Sequence, residues 1–279
     1  MNALQAIIFA IIQGVTELFP VSSLGHAVVM PALLGWPINQ RAEDFLPFLV
    51  VLHVGTAAAL LIYFWREWID ILLALLGRGE AAARKANLRL FGLIMVGTIP
   101  AGIVGFAFEK PLRALFATPV LAATFLVVNG CVLFAAERLK RAGGENLSTL
   151  TVRTAFMIGL WQCLALIPGI SRSGATIVGG LLIGLRHREA ARFSFLLATP
   201  VISGAALLEV PKLLRHSATS GGLGPVTLAA GLAAGITAYM SVAFLMRYFG
   251  RRDFEALNPF AYYSIAVGLV SLVLILFVF

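Results

Sequence analysis

The sequence predicts an all-α integral membrane protein with six transmembrane helices and two re-entrant helical hairpins. Of its 279 residues, 60% are hydrophobic and only 12% are charged, and the mean hydropathy is +0.94. These proportions exclude an ordinary soluble domain, which carries about 25% charged residues. The apolar residues also fall into runs of the length that crosses a bilayer, about 20 residues in a helix.

Six uninterrupted apolar stretches are predicted to be simple spans within one membrane domain, residues 1–279. They are residues 45–65, 89–108, 119–136, 193–211, 226–246 and 259–279. In the fifth stretch, the Gly231-x-x-x-Gly235 spacing suits close contact between helices. Residues 66–89 alternate apolar and charged positions, which is typical of a helix lying in the membrane interface.

Two further apolar stretches, residues 4–34 and 154–185, are interrupted near their middle by proline and small polar residues. This pattern favours a re-entrant hairpin, in which a helix enters the membrane, turns and returns to the same side. A long kinked span is the alternative for each stretch. Non-helical backbone at membrane depth is tolerated only where protein or water satisfies its polar groups.

The basic residues predict the orientation of the spans. They concentrate in four connecting segments, residues 66–89, 137–153, 186–192 and 247–252, while the other connections carry only one or two each. The positive-inside rule places the four rich segments in the cytoplasm. Both termini then lie outside, the first hairpin enters from outside, and the second enters from the cytoplasm. The net charge of +8 therefore indicates topology and contact with anionic lipid head groups, and no basic block predicts nucleic-acid binding.

The two halves of the chain, residues 1–136 and 154–279, each consist of one hairpin followed by three spans. Because three is odd, the halves have opposite orientations and form an inverted repeat, whose broken segments are expected to meet near the midplane. Four residue pairs share a separation of 149 positions: Gln13 and Gln162, Ser22 and Ser171, Ser23 and Arg172, and Gly25 and Gly174.

The second hairpin carries an anion-binding pattern. Arg172 is the only charged residue between Thr154 and Leu185, and a charge at membrane depth indicates a functional site. Pro168 and Gly169 interrupt the helix and free backbone amides at the start of the next one. Together with the hydroxyls of Ser171, Ser173 and Thr176, these groups suit a phosphate. The alternative is a kinked packing helix with Arg172 paired to an acid elsewhere.

The first hairpin carries an acid and a base. Glu17 is the only acid among the first 42 residues, and Gln13 lies four residues before it on the same helix face. Ser23 and His26 are three residues apart, so the imidazole is expected to reach the hydroxyl, as nucleophilic catalysis requires. His26 could equally cap a helix or bond a carbonyl group.

Facing hairpins would assemble a phosphoryl-transfer site. An acid, a base, several hydroxyls and a fixed guanidinium provide the positioning and charge stabilisation that this reaction needs, often with a bridging Mg²⁺ or Ca²⁺. A diphosphate attached to a long lipid would place its head group at this site and its tail between helices.

These residues resemble the motifs of the undecaprenyl-diphosphatase family of bacterial membrane enzymes, which is linked to bacitracin resistance. That family has a Glu/Gln-x-x-x-Glu motif, a Ser-Ser-x-Gly-His run and a Pro-Gly-x-Ser-Arg-Ser-x-x-Thr motif. The corresponding residues here are Gln13 to Glu17, Ser22 to His26, and Pro168 to Thr176. The resemblance covers nearly the whole chain in length and spacing.

The resemblance implies that the chain hydrolyses undecaprenyl diphosphate to undecaprenyl phosphate and inorganic phosphate, recycling the lipid carrier of peptidoglycan synthesis. It also implies the bacterial cell membrane, a site facing the extracytoplasmic side, and a divalent cation, Mg²⁺ or Ca²⁺. The implied catalytic residues are Glu17, Ser23, His26 and Arg172; the diphosphate-binding residues are Ser22, Ser171, Arg172, Ser173 and Thr176; the metal ligands are Glu17 and Gln13. Many members have Glu at the position of Gln13, and an amide is a weaker ligand for a hard cation.

Two alternatives remain at this point, one for the nucleophile and one for the function. The nucleophile is either Ser23, with His26 as base, or a water molecule activated by His26 or Glu17. A transporter or flippase of a lipid phosphate or another anion would also use inverted repeats with broken helices. The other widespread lipid phosphatase class does not fit, because Val178 stands where its final histidine belongs. The sequence leaves open whether the chain forms a homo-oligomer.

Overall fold

The computed structural model describes residues 1–36, 45–108, 111–112, 115, 118–140, 144–220 and 224–278, without the side chains of 45–47, 205 and 207–220. Within these residues the regular structure is helical, and the only β-type pairing is an isolated bridge between Glu145 and Leu185. The prediction of an all-α protein is therefore confirmed. 

The described α-helices, numbered in chain order, are α1 Ala3–Thr16, α2 Ser23–Leu33, α3 Phe45–Tyr63, α4 Trp65–Leu75, α5 Ala81–Ala107, α6 Pro119–Leu139, α7 Val152–Cys163, α8 Arg172–Leu182, α9 His187–Ser220, α10 Pro225–Arg251 and α11 Asn258–Phe277.

Four of these helices, α5, α6, α10 and α11, are long and apolar enough to cross a membrane, and the bent pair α3–α4 raises the number to five. The chain is thus a multi-pass membrane protein. The predicted span 193–211 lies within α9, part of which has side chains outside the described residues. Helix α5 begins at Ala81, before the predicted span 89–108. Residues 81–88, which include Arg84 and Lys85, extend the helix beyond its apolar part.

Helix α4 turns away from α3 by 77°. Its apolar side chains Trp65 and Leu72 are more than half exposed, while Ile71 and Ala74 on the other face are buried. The segment that was predicted as an interfacial helix, residues 66–89, thus falls on α4 and the start of α5, and its position in the membrane interface stays a prediction.

Both interrupted stretches are pairs of short helices separated by a break. Helices α1 and α2 are separated by residues 17–22, and α7 and α8 by a segment that includes a short 3₁₀ turn, Leu164–Leu166. Ser22 and Ser171 each accept a hydrogen bond from a backbone amide of the following helix. The breaks use positive φ angles, 68° at Ser22 and 102° at Gly169, which reverse the chain where a helix could not.

The helices pack in two similar sets. Helix α1 packs against α10, which packs against α3; correspondingly, α7 packs against α5, which packs against α9. In the first set, Gly55 of α3 lies directly against the backbone of Gly231 and Gly235 in α10. The predicted close contact at the Gly231-x-x-x-Gly235 spacing is therefore confirmed.

A polar network ties together helix ends on one side of the molecule. The buried ring of His187, at the start of α9, lies 2.9 Å from Glu137 Oε2 and 2.9 Å from Asp253 Oδ1. Partial burial opposes ionisation of Asp253, but hydrogen bonds from the His187 ring and backbone outweigh it and lower the pKa of Asp253. The Glu137 carboxylate also accepts the backbone N–H of Leu257 at 3.1 Å. This network fixes α6, α9 and the α10–α11 connection relative to one another.

Replacing Gly169 by alanine should destabilise the protein strongly. A Cβ at this position, where φ is 102°, would overlap the carbonyl oxygen of Ala122 and lie 2.6 Å from Phe125 Cβ. We expect Gly169→Ala to lower the free energy of unfolding by about 1–3 kcal/mol, the usual range for overpacking, measured by thermal unfolding in detergent.

Gly92→Ala is the matched control, because a Cβ there meets no atom within 4 Å. Its unfolding temperature should be unchanged or slightly higher, since alanine favours a helix over glycine. Equal unfolding temperatures for Gly169→Ala and Gly92→Ala would contradict the described packing at Gly169.

Candidate functional site

The two helix breaks lie against each other and form the candidate site. Ser22 Oγ donates to the carbonyl oxygen of Ile170 at 3.2 Å, and Ser173 Oγ donates to that of Phe19 at 3.1 Å. Each break thus satisfies backbone groups of the other, which buried non-helical backbone requires. The predicted meeting of the two broken segments is present in the structure.

Asn129 of α6 joins both breaks, a role that none of the sequence motifs predicted. Its amide nitrogen donates to the carbonyl oxygen of Pro20 at 3.0 Å, and its Oδ1 accepts the Ser171 N–H at 3.0 Å. The same nitrogen contacts Ser264 Oγ of α11 at 3.2 Å. A buried amide in the middle of an apolar span was the available signal for this role.

Glu17 and Arg172 form a buried ion pair across the two breaks. Arg172 Nη2 lies 3.2 Å from Glu17 Oε1, with side chains only 13% and 7% exposed, respectively. Arg172 Nη1 also donates to the Ser194 carbonyl oxygen of α9 at 3.3 Å, whereas its buried Nε has no partner within the described part of the chain. The guanidinium is therefore fixed in place and retains a free donor.

The second oxygen of Glu17 accepts hydrogen bonds from the first hairpin. Ser23 Oγ donates to Glu17 Oε2 at 2.6 Å, and Gln13 Nε2 donates to the same oxygen at 3.1 Å. The predicted pairing of Gln13 and Glu17 on one helix face is thus observed, and the Ser23 hydroxyl points directly at a carboxylate.

His53 of α3 also belongs to this cluster and was missed in the sequence. Its Nε2 lies 3.3 Å from Glu17 Oε2 and 3.1 Å from Gln13 Nε2. Its Nδ1 lies 2.8 Å from the Leu49 carbonyl oxygen, which can only accept, so Nδ1 carries a proton. A lone imidazole within a predicted span was the signal that would have indicated His53.

His26 is held by groups other than Ser23. Its Nδ1 donates to the Ser22 carbonyl oxygen at 2.7 Å, and its Nε2 lies 3.0 Å from the hydroxyl of Tyr263, whose ring stacks on the imidazole. The expected hydrogen bond between Ser23 and His26 is therefore replaced: at this helix start, the serine turns towards Glu17 while the imidazole turns back to Ser22. With the proton on Nδ1, His26 Nε2 accepts a hydrogen bond from the Tyr263 hydroxyl.

The hydroxyls of the second motif surround the start of α8. Ser171 Oγ accepts the Gly174 N–H at 3.1 Å and lies 3.0 Å from Ser173 Oγ. Thr176 Oγ1 donates to the Arg172 carbonyl oxygen at 2.8 Å and lies 2.6 Å from Ser194 Oγ. Ser171 and Ser173 lie against the Phe19 carbonyl oxygen, whereas Thr176 and Arg172 both contact Ser194 of α9. These polar groups therefore surround the first turn of α8, whose positive end favours an anion.

The fit of a divalent cation depends on Glu17 and Gln13. Gln13 Nε2 faces the Glu17 carboxylate, while Gln13 Oε1 is buried without a hydrogen-bond partner among the described residues, so a turn of the amide would bring a carbonyl oxygen beside the carboxylate. No group of three or more His, Cys, Asp or Glu side chains suited to a metal occurs within the described ranges. These residues therefore fit a cation that takes its remaining ligands from substrate oxygens and water.

The arrangement suits phosphoryl transfer. A guanidinium and a helix N-terminus can stabilise phosphate oxygens, a serine hydroxyl touches a carboxylate, and a nearby imidazole is fixed in one tautomer. Positioning and charge stabilisation of this kind account for most of the catalysis in phosphoryl transfer.

Comparison with known proteins also indicates phosphoryl transfer, because the relatives are named as diphosphatases. A family model described as bacitracin resistance protein BacA matches residues 6–270. The chain is 56% identical to the undecaprenyl-diphosphatase of Acidiphilium cryptum over 99% of both chains. It is 55% identical to that of Granulibacter bethesdensis over 98% of this chain and 96% of the relative. It is 51% identical to undecaprenyl-diphosphatase 2 of Chromobacterium violaceum over 98% of both chains.

Removal of the Asn129 amide should destabilise the two breaks. Asn129→Ala loses three hydrogen bonds and leaves the Pro20 carbonyl and the Ser171 N–H buried without partners. Because an unsatisfied buried group costs about 1–3 kcal/mol, we expect a clear fall in unfolding temperature in detergent.

Thr124→Ala on the same helix is the matched control, since the exposed Thr124 hydroxyl bonds only the carbonyl of Val120. It should unfold like the wild type. If Asn129→Ala were equally stable, Asn129 would not be the link between the breaks.

Proposed function

This chain belongs to the bacitracin resistance protein BacA family, and we propose that it hydrolyses undecaprenyl diphosphate to undecaprenyl phosphate and inorganic phosphate. The observation that carries this proposal is the buried Glu17–Arg172 pair, which places an acid and a fixed guanidinium at one point between two helix breaks. The names of its relatives agree with an enzyme of this activity. The reaction recycles the lipid carrier for peptidoglycan synthesis, consistent with the family's link to bacitracin resistance.

The diphosphate is bound by the second break. Arg172 offers a guanidinium whose buried Nε has no partner among the described residues, and α8 offers the amides of its first turn other than that of Gly174, which Ser171 Oγ caps. The hydroxyls of Ser171, Ser173 and Thr176, together with Ser22 from the first break, supply further donors. When the diphosphate binds, its oxygens compete with Glu17 for hydrogen bonds from the Arg172 guanidinium. The Glu17 carboxylate is then paired less strongly and can accept a proton.

Ser23 is the nucleophile in this proposal. Its hydroxyl already donates to Glu17 Oε2 at 2.6 Å, so the carboxylate can accept the proton as Ser23 Oγ attacks the terminal phosphorus. The bond from that phosphorus to the bridging oxygen breaks, and undecaprenyl phosphate leaves with the electron pair. Water then attacks the phosphoserine phosphorus, the bond from phosphorus to Ser23 Oγ breaks, and Ser23 Oγ takes back the proton held by Glu17, which releases phosphate and restores the hydroxyl.

His26 serves the second step. The Tyr263 hydroxyl occupies its Nε2 at 3.0 Å, and exchange of this partner for water would let the imidazole accept a water proton. The rival scheme omits the phosphoserine, with His26 or Glu17 activating water for direct attack.

A divalent cation, Mg²⁺ or Ca²⁺ as the resemblance implied, would be held by Glu17 and Gln13 Oε1. When bound, it neutralises charge on the diphosphate oxygens and orients the terminal phosphate. The rest of the charge stabilisation comes from Arg172 and the α8 amides.

We further propose that the chain has six spans and two re-entrant hairpins related by an inverted repeat. The two matching packing sets, α1–α10–α3 and α7–α5–α9, support this arrangement because the repeat offset converts one set into the other. We also propose that the protein lies in the bacterial cell membrane and that its site opens to the extracytoplasmic side, as the resemblance to the family implies. The lipid tail would then extend between helices into the bilayer.

A lipid phosphate transporter or flippase is the rival function, favoured by the meeting of two broken helices. Phosphate release by the detergent-solubilised protein supplied with undecaprenyl diphosphate separates the two. The diphosphatase releases inorganic phosphate without a membrane, whereas a pure transporter releases none.

Loss of either charge of the central pair should abolish most of the turnover. We expect Glu17→Ala and Arg172→Ala each to lower phosphate release by at least about 10²-fold, the scale for losing a charge-stabilising group. Arg153→Ala, at an exposed position at the start of α7, should keep wild-type activity. Near-normal activity in folded Arg172→Ala would refute the assignment of the diphosphate site.

Ser23→Ala distinguishes the two nucleophiles. If Ser23 forms the phosphoserine, the variant should lose nearly all activity, and rapid acid quenching of the wild type should yield phosphate attached to Ser23, detected by mass spectrometry. Ser148→Ala is the control, because the Ser148 side chain is exposed and belongs to neither helix break. Substantial turnover by Ser23→Ala would instead support direct attack by water.

A further inference from the structure

His53, which belongs to none of the motifs, closes a triangle of potential metal ligands with Glu17 and Gln13. Its Nε2 is 3.3 Å from Glu17 Oε2 and 3.1 Å from the Gln13 amide nitrogen, which is itself 3.1 Å from Glu17 Oε2. The three atoms come from α1, the break that follows it, and α3. Three side chains therefore converge on one point although they are distant in sequence.

The dimensions of this triangle match the coordination of a small divalent cation. With metal–ligand bonds of about 2.1 Å, neighbouring ligand atoms lie about 3.0 Å apart in an octahedron and about 3.4 Å apart in a tetrahedron. The observed separations of 3.1 and 3.3 Å fall between these values. An ion can thus touch all three side chains without movement of the helices.

The Gln13 amide has to turn so that its oxygen faces the ion. In the present orientation Gln13 Nε2 faces Glu17 and His53, while the buried Oε1 has no partner. Rotation of the amide by 180° points Oε1 towards Glu17 and His53 and moves Nε2 to the buried position that Oε1 now occupies. One of the two amide atoms is therefore without a partner in either orientation. Coordination by Oε1 would then replace the two hydrogen bonds that the nitrogen gives up.

The imidazole is prepared for the same task. The Leu49 carbonyl oxygen, 2.8 Å from Nδ1, holds the proton on Nδ1 and directs the lone pair of Nε2 at the triangle. A hydrogen bond from the other ring nitrogen to a backbone carbonyl is the usual support of a histidine ligand. The ring is also partly exposed, at 23%.

The surrounding charges leave room for a cation on one side of Glu17. Arg172 faces Oε1 at 3.2 Å, whereas His53, Gln13 and Ser23 face Oε2. The carboxylate can therefore pair with the guanidinium through one oxygen and with an ion through the other. On α10, the neighbour of α3, Gly231 and Gly235 lie with their backbone against Gly55 of α3.

We propose that His53 Nε2 is a ligand of the cation, together with Glu17 Oε2 and Gln13 Oε1. An imidazole ligand favours transition ions from Mn²⁺ to Zn²⁺ over Ca²⁺, which prefers oxygen ligands. In this chain the histidine supplies the coordination that the neutral amide of Gln13 provides only weakly. The inference deepens the proposed phosphatase function and rests on it for its role in the reaction.

The test uses the ligand-free protein in phosphate-free detergent with Mn²⁺ as the probe. Electron spin echo of bound Mn²⁺ should show the modulation of a directly coordinated ¹⁴N nucleus in the wild type. His53→Gln should lose this modulation and bind Mn²⁺ at least about 10-fold more weakly. His26→Gln is the matched control: it removes the other imidazole near the site and should keep the modulation.

A second variant guards against loss of folding in His53→Gln. Gln13→Glu adds a carboxylate to the same triangle, so it should bind Mn²⁺ at least about 10-fold more tightly and retain the ¹⁴N modulation. Competition should show that wild-type protein prefers Mn²⁺ to Ca²⁺.

Absence of nitrogen modulation in the wild type, or its persistence in folded His53→Gln, would overturn the proposal. Failure of the wild type to release phosphate from undecaprenyl diphosphate is a separate outcome. It would refute the proposed reaction. The assignment of His53 as a metal ligand would still be decided by the ¹⁴N modulation.

Discussion

The structure depends on the attraction between one carboxylate and one guanidinium inside an apolar protein. Glu17 and Arg172 lie in different helix breaks, and each would be strongly destabilising if it were buried alone. Their 3.2 Å contact satisfies both charges and at the same time requires the two breaks to meet. The pair therefore has a structural effect, alignment of the breaks, and a chemical one, a positive and a negative group at the same point.

The broken backbone imposes the second constraint. Four carbonyl or amide groups at the breaks, on Phe19, Pro20, Ile170 and Ser171, find their partners in the opposite break or in Asn129. A site on such a frame is held by several independent bonds, so its polar side chains are positioned before a substrate arrives. Preorganisation of this kind is the main source of electrostatic stabilisation in enzymes.

The sequence predicts the charged pair well for a physical reason. A lone acid and a lone guanidinium in apolar segments have few ways to avoid a large desolvation penalty, and pairing is the simplest. The helix breaks were equally predictable, because Pro20, Pro168 and Gly169 disturb helices locally. The roles of Asn129, His53 and Tyr263 were not, since each depends on how a distant helix packs against the breaks.

The Ser23–His26 contact illustrates the limit of local spacing. Residues three apart can touch in a helix, but the first turn offers competing partners: the Ser22 carbonyl oxygen takes His26 Nδ1, and Glu17 takes the Ser23 hydroxyl. Position along the chain restricts which groups can meet, and the surrounding tertiary structure decides between them. The same reasoning explains why Gln13 was paired with Glu17 correctly while its second neighbour, His53, was missed.

A double-mutant cycle on the stability of the ligand-free protein tests the central pair most directly. Glu17→Gln, Arg172→Gln and the combined variant would be unfolded reversibly in detergent and their free energies of unfolding compared with the wild type. A direct buried pair predicts that the double variant loses at least about 1 kcal/mol less than the sum of the single losses, because the second substitution removes a charge that is already unpaired. Additive losses, within about 0.5 kcal/mol, would contradict the account by showing that the two side chains do not interact.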